Sequence, residues 1–112
     1  MTLPSPIPVE LAELIAARLR VIGDPTRIRI LDLLRDQELT VTELTGRLAT
    51  SQQNASKHLG VLLQAGIVAR RKDGNSSVYS IADRGVYELC EQVCGGLQLQ
   101  LAELTALVQG AA

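Results

Sequence analysis

Apolar residues recur at helical spacing through most of the chain, and polar or glycine-bearing interruptions cut it into short segments. Leu11, Leu14, Ile15, Leu19 and Ile22 follow a three-four rhythm that predicts a helix from Val9 to a stop at Gly23. Asp24-Pro25 then supplies a cap residue followed by proline at a first helical position. The next helix is predicted to bury Ile28, Leu31 and Leu34 and to present Arg27, Arg29 and Arg35 outward. Glu38-Leu39-Thr40-Val41 leads into a further helix, in which Thr40 and Glu43 have the capping-box spacing and Leu44 and Leu48 form an apolar i,i+4 pair. Ala49-Thr50-Ser51 reads as a tight polar turn. Ser51 caps the helix that follows, where Ala55, Leu59, Leu62 and Leu63 fall on one stripe, and Gly66 stands where a left-handed C-terminal cap is wanted.

Beyond Gly66 the period changes. Ile67 to Lys72 reads as a strand, Asp73-Gly74-Asn75-Ser76 as turn chemistry, and Ser77 to Ile81 as the returning strand. Asp83 caps a last helix whose Val86, Leu89, Cys90, Val93, Leu97, Leu101, Leu104 and Val108 make one stripe at close to heptad spacing. So long an apolar stripe exceeds what a small domain can cover, and the simplest partner is the same helix of a second subunit, joined by residues 9–22. Gly95-Gly96 interrupts it at a cost of about 1 kcal/mol per glycine against alanine, which either close approach of another helix or a kink would explain. Residues 1–8, with three prolines, are expected to be a flexible arm. Residues 9–112 form a single domain: dimerisation helices at 9–22 and 83–108, a helix-turn-helix at 41–65 and a hairpin wing at 67–82. The class is mainly α with a small β-hairpin wing (α+β), a winged helix-turn-helix dimeric through its N- and C-terminal helices.

The helix from Gln52 to Gln64 carries the candidate chemistry. Gln53, Lys57, Gly60 and Gln64 lie opposite its apolar stripe, and Gln52, Asn54, Ser56 and His58 occupy the first turns. Short polar groups, amides and one cation on the N-terminal half of an exposed helix suit major-groove base edges and flanking phosphates. The formal net charge of −1 argues against a DNA partner until it is divided along the chain. Residues 47–72 hold Arg47, Lys57, Arg70, Arg71 and Lys72 and no acid, whereas the acids concentrate before and after them. A solvated surface mixes its signs, and this segment does not. A basic hairpin directly after a reader helix can lay Arg70, Arg71 and Lys72 along the phosphate backbone or minor groove; a hairpin that only covers a sheet edge is the plainer alternative.

Composition bounds the rest. The chain of 112 residues has two aromatics, Tyr79 and Tyr87, so its core must be Leu, Ile, Val and Ala. No run is long and apolar enough to span a bilayer, and the polar, proline-broken start is no signal peptide, which predicts a cytoplasmic chain with reduced thiols. Those thiols, Cys90 and Cys94, share a helix face with Cβ atoms ~5–6 Å apart. A disulfide wants ~3.8 Å, so bonding between them would distort the helix. They could ligate a soft ion or trivalent arsenic with a third ligand from elsewhere, or form a four-thiolate site where two last helices cross. Cys90 lies on the apolar stripe and could equally be a small buried hydrophobe. His58 has no ligand partner on its own face and reads as a DNA-facing or helix-packing residue. No nucleophile–base pair, phosphate loop or paired carboxylates support an enzyme.

Gly23-Asp24-Pro25-Thr26-Arg27-Ile28-Arg29-Ile30-Leu31, Leu44, Ser51-Gln52, Ser56-Lys57-His58-Leu59, Leu62 to Val68 and the Gly74 to Tyr79 wing resemble the ArsR/SmtB family over roughly residues 10–82. The resemblance implies a homodimeric winged-helix repressor on an inverted-repeat operator, with first and last helices at the dimer interface. It implies Gln52, Ser56 and His58 as recognition-helix residues, and release from DNA by a metal ion, a metalloid or thiol oxidation. No cofactor is required; a thiophilic metal ion or arsenite is the implied effector. Departures are evident too. Thr40-Val41-Thr42-Glu43 holds no thiol where metal sensors of this family often carry Cys-x-Cys, Asp83 is followed by Arg84 and Gly85 rather than by a histidine, and the usual wing-tip arginine is Asn75. A repressor with no metal response and a protein–protein interaction module remain the alternatives.

Overall fold

The computed structural model describes residues 2–110. In chain order the elements are α1 (Val9–Ile22), α2 (Pro25–Leu33), β1 (Leu39–Thr40), α3 (Val41–Leu48), α4 (Gln52–Gln64), β2 (Val68–Asp73), β3 (Ser76–Ile81) and α5 (Gly85–Gly110). Their boundaries are set by local chemistry. The Asp24 carboxylate accepts from the Arg27 N–H at 3.1 Å, with Pro25 at the start of α2. Thr40 and Glu43 close a reciprocal box: the Glu43 N–H donates to Thr40 Oγ1 at 3.2 Å, and the Thr40 N–H donates to Glu43 Oε1 at 3.0 Å. The Thr40 N–H foremost, and after it the Thr40 hydroxyl, which donates to the same Glu43 Oε1 at 3.1 Å, hold the Glu43 carboxyl below the ordinary range. α4 ends in a Schellman motif, the Ile67 N–H reaching the Leu62 carbonyl at 3.0 Å and the Gly66 N–H that of Leu63 at 3.0 Å. Gly66 takes the left-handed conformation that motif requires, φ +75.

The sheet has three strands in the order β1-β3-β2, all antiparallel. The hairpin pairs Val68 with Ile81 through to Asp73 with Ser76, leaving Gly74-Asn75 as a two-residue turn with a positive-φ glycine first. β1, which pairs Leu39 with Tyr79 and Thr40 with Val78, was not expected from the pattern. A two-residue strand carries no readable alternation; β3 supplies the ladder that defines it.

The core lies between α2, α3, α4 and the sheet, built on Ile30, Leu31, Leu34, Leu44, Leu59, Leu62 and Ile67. Here α2 departs from the expected phase. Ile28 is 41% exposed and Ile30 is fully buried, while Arg27 is half-buried. The inward face is therefore 27, 30, 31 and 34, a complete i, i+3, i+4, i+7 set, and the Arg27 stem covers apolar surface from its edge. At the head of α5, Tyr87 donates to the Leu31 carbonyl at 2.7 Å, and the guanidinium carbons of Arg35 and Arg84 stand 4.7 Å and 5.5 Å from its ring centroid. Burial holds its hydroxyl above the ordinary pKa, so it stays a donor. Val86 is the one buried residue of α5, with Leu89 half-buried against the core; the helix then runs unbroken through Gly95-Gly96 with the leucines beyond them exposed. Among the described residues no helix is long and apolar enough to cross a membrane.

Candidate nucleic-acid interface

α3, a left-handed residue at Ala49 (φ 53) and α4 make the helix-turn-helix. Core packing by Ala55, Leu59 and Leu62 turns the opposite side of α4 outward, so Gln52, Gln53, Ser56, Lys57, Gly60 and Gln64 are exposed. Asn54 is committed elsewhere: it is half-buried, its amide donates to Thr50 Oγ1 at 2.9 Å, and its N–H donates to the capping Ser51 Oγ at 3.0 Å. It holds the turn between the two helices.

His58 corrects the expectation that it faces DNA. Its side chain is 11% exposed. Residues 55, 58, 59 and 62 share one helical face, and the core side of α4 includes it. Its Nδ1 lies 3.9 Å from Asp24 Oδ1, too far for a hydrogen bond, and has no other partner among the described residues. The Asp24 carboxyl is held below its ordinary pKa chiefly by the Arg27 backbone N–H it caps, with a smaller contribution from His58.

The hairpin stands beside α4 with Arg70, Arg71, Lys72 and Asn75 exposed. Alternation along β2 puts Arg70 and Lys72 on one side and Arg71 on the other. Arg71 has an internal partner: its Nε reaches Glu38 Oε2 at 3.2 Å, and the Glu38 side chain raises the Arg71 pKa. Among the described residues, the three adjacent cations thus contain one surface ion pair and two cations with no salt-bridge partner, Arg70 and Lys72, open to an external anion. Gln52 and Asn75 line a common polar cleft of about 250 Å³ between the start of α4 and the wing tip, together with Thr40, Thr42, Ser76 and Ser77. None of those four hydroxyl residues is a site candidate in the sequence, where Thr40 figures only as a helix cap; clustered Ser and Thr at a cap and a turn are the available signal. The net arrangement is an exposed amide- and cation-bearing helix flanked by a basic hairpin, a shape and charge that suit a duplex groove and its backbone.

Comparison with known proteins agrees. Residues 22–71 match a helix-turn-helix domain family. The HTH-type transcriptional regulator Rv0081 of Mycobacterium tuberculosis is 44% identical over 71 residues, 62% of this chain and 62% of that protein, so the chain spans less than two thirds of that relative's length. The crystal structure of Rv0081 superposes with a TM-score of 0.76 at 38% identity, covering 86% of this chain and 97% of that one. A transcriptional repressor SmtB homolog of Synechocystis is 30% identical over 95 residues, 85% of this chain and 72% of its own. The homodimeric winged helix-turn-helix DNA-binding domain Mb0332 of Mycobacterium bovis, a possible ArsR-family regulator, matches with a TM-score of 0.70 at 26% identity over 88% of this chain and 91% of that one. The resemblance read from the motifs therefore holds across sequence and fold, and the chain belongs to the ArsR/SmtB family of winged helix-turn-helix transcriptional regulators, DNA-binding proteins rather than enzymes.

Proposed function

We propose that this chain is a cytoplasmic, homodimeric repressor that reads an inverted-repeat operator with α4 and its wing, and leaves it when Cys90 and Cys94 bind a thiophilic metal or metalloid or are oxidised. The observation that carries the dimer is the face of α5. Val93, Leu97, Leu101, Leu104 and Val108 are each more than half exposed within one protomer, and α1 adds exposed Val9, Leu14 and Leu19. A second copy of the same helices is the self-complementary partner that two-fold symmetry supplies. It would also occupy the open space around Gly95 and Gly96, where an added Cβ would meet nothing in this chain.

Operator binding is tested by Lys57→Ala. Lys57 sits at the middle of the exposed face of α4, and one cation lost from a phosphate contact lowers the salt slope by about 0.9 per bound chain and weakens binding about eightfold at 0.1 M salt. Fluorescence anisotropy on the DNA upstream of the gene, at two salt concentrations, reads both; unchanged binding at both would remove Lys57 from the interface.

The effector reading rests on the thiols' setting. Cys90, half-buried, and Cys94, exposed, line a groove of about 310 Å³ whose other walls are Leu19, Ile22, Gly23, Ile28, Val93 and Leu97. Ile28, displaced from the core by the phase of α2, supplies one of those walls. Among the described residues no three His, Cys, Asp or Glu side chains cluster for a metal, so a complete thiolate site needs a ligand from a second chain or from solvent. The apolar setting equally favours a repressor without a thiol response, in which both cysteines are packing. The double substitution Cys90→Ser with Cys94→Ser separates them. Zinc, cadmium, arsenite and a mild oxidant are each added to the DNA complex of both proteins. Release of the parent chain with retention of the variant supports the sensor, whereas equal release from both rules the pair out.

A further inference from the structure

We infer that Arg18 is a positioning residue for operator recognition, which sets the tilt of α4 from the end farthest from the DNA; this rests on the operator-binding reading above. Arg18 projects from α1 and joins two other helices. Its Nη1 donates to the Ala65 carbonyl, the C-terminal cap of α4, at 2.8 Å. Its Nη2 donates to Asp83 Oδ2 at 2.6 Å. Asp83 in turn accepts from the Gly85 N–H at the head of α5 at 3.0 Å, and its own N–H donates to the Ile67 carbonyl at 3.1 Å. Arg18, Asp83, Ile67 and Ala65 therefore form a closed ring around the end of α4.

The charges match the helix ends they touch. A cation at the C-terminus of α4 and an anion at the N-terminus of α5 each oppose the local macrodipole charge. The guanidinium holds the Asp83 carboxyl below its ordinary pKa. Both side chains are about 40% exposed, and such pairs add little to global stability. Their leverage is geometric. α4 has 13 residues, about 20 Å of helix, so a tilt of about 5° at Ala65 moves the Gln52 end by about 1.7 Å. That displacement exceeds the tolerance of a hydrogen bond to a base edge, while a contact to phosphate through a long cation survives it. Arg18 should consequently act on specificity and leave non-specific affinity alone.

The test compares the parent with Arg18→Met, which keeps the apolar stem, Arg18→Lys, which keeps the charge and one bond, and Asp83→Asn, which keeps an acceptor for Gly85. Each is measured by anisotropy on the upstream DNA and on a scrambled duplex across a salt series, with circular dichroism melting as the control on folding. Arg18→Met is expected to lose about tenfold on the specific site, with the scrambled affinity and the salt slope unchanged. Asp83→Asn should lose about threefold, and Arg18→Lys should recover most of the loss. Specific affinity that is unchanged in folded Arg18→Met and Asp83→Asn overturns the inference. So does a parallel loss on both duplexes with a shallower slope, which would make Arg18 a phosphate contact. The parent chain is measured first, and absence of specific binding by it overturns the operator reading and this inference with it.

Discussion

A chain carrying Leu97→Glu and Leu104→Glu is expected to be a folded monomer that binds its operator about a thousandfold more weakly than the parent. Leu97 and Leu104 are 54% and 53% exposed in the protomer, beyond the last buried residue of α5, so the substitutions cost its own core almost nothing. In the proposed dimer the same positions lie in an apolar seam. There each pair of facing carboxylates would be desolvated without a counter-charge, a penalty of about 3–5 kcal/mol for a buried unpaired charge. Loss of the dimer matters to DNA through linkage. Once one half-site is held, the second reader is present at a local concentration in the millimolar range, and that advantage of two to four orders of magnitude disappears for a monomer. Sedimentation velocity and anisotropy measure the two effects on the same sample. A variant that remains dimeric places the interface elsewhere, with the exposed Val9, Leu14 and Leu19 of α1 as the next candidate.

Removing both wing cations that have no salt-bridge partner among the described residues, Arg70→Ala with Lys72→Ala, is expected to give a loss of comparable size. A dimer loses four positive charges. If each neutralises a phosphate, the slope of log affinity against log salt becomes shallower by about 3.6, and affinity at 0.1 M salt falls by about 4,000-fold at the limit. The loss should be similar on specific and scrambled duplexes, because backbone contacts carry no sequence information. Arg71→Ala serves as the internal comparison. Its guanidinium already bonds Glu38, so its removal should change affinity by less than about threefold, the range of an exposed ion pair. Equal losses from Arg71→Ala and from either neighbour would show that DNA displaces Glu38 and that the wing uses all three cations.

Both expectations, like the Arg18 inference, combine features read along the chain with features that became visible only in three dimensions. The ends of the elements were legible because their causes are local. Asp24 before Pro25, Thr40 with Glu43, Ser51 before Asn54 and Gly66 after Ala65 each act on backbone groups within a few residues, and each does so in the structure. The hairpin was legible for the same reason: Asp73 to Ser76 contains its own turn. The acid-free run from 47 to 72 is a property of composition and needed no fold to be counted.

What depended on distant partners was not legible. The rotation of α2 differs from the sequence expectation because an arginine reads as outside, yet Arg27 is half-buried and Ile28 is left to wall the thiol groove. His58 sits in a motif that resembles a DNA-reading helix, but whether residue 58 faces groove or core turns on which side of α4 meets α2, and Asp24 lies across from it. β1 exists because β3 is beside it. Arg71 is paired because the chain brings Glu38, 33 residues away, to the flank of β2, and Arg18 meets Asp83 across 65 residues. The sequence by itself determined the element boundaries, the helix-turn-helix, the wing and the placement of charge along the chain, since those follow from contacts a few residues apart. Only the tertiary structure decided which cations remain free, which polar residues are buried and where three helices are tied together, because each is an agreement between surfaces whose relative orientation the packed core sets.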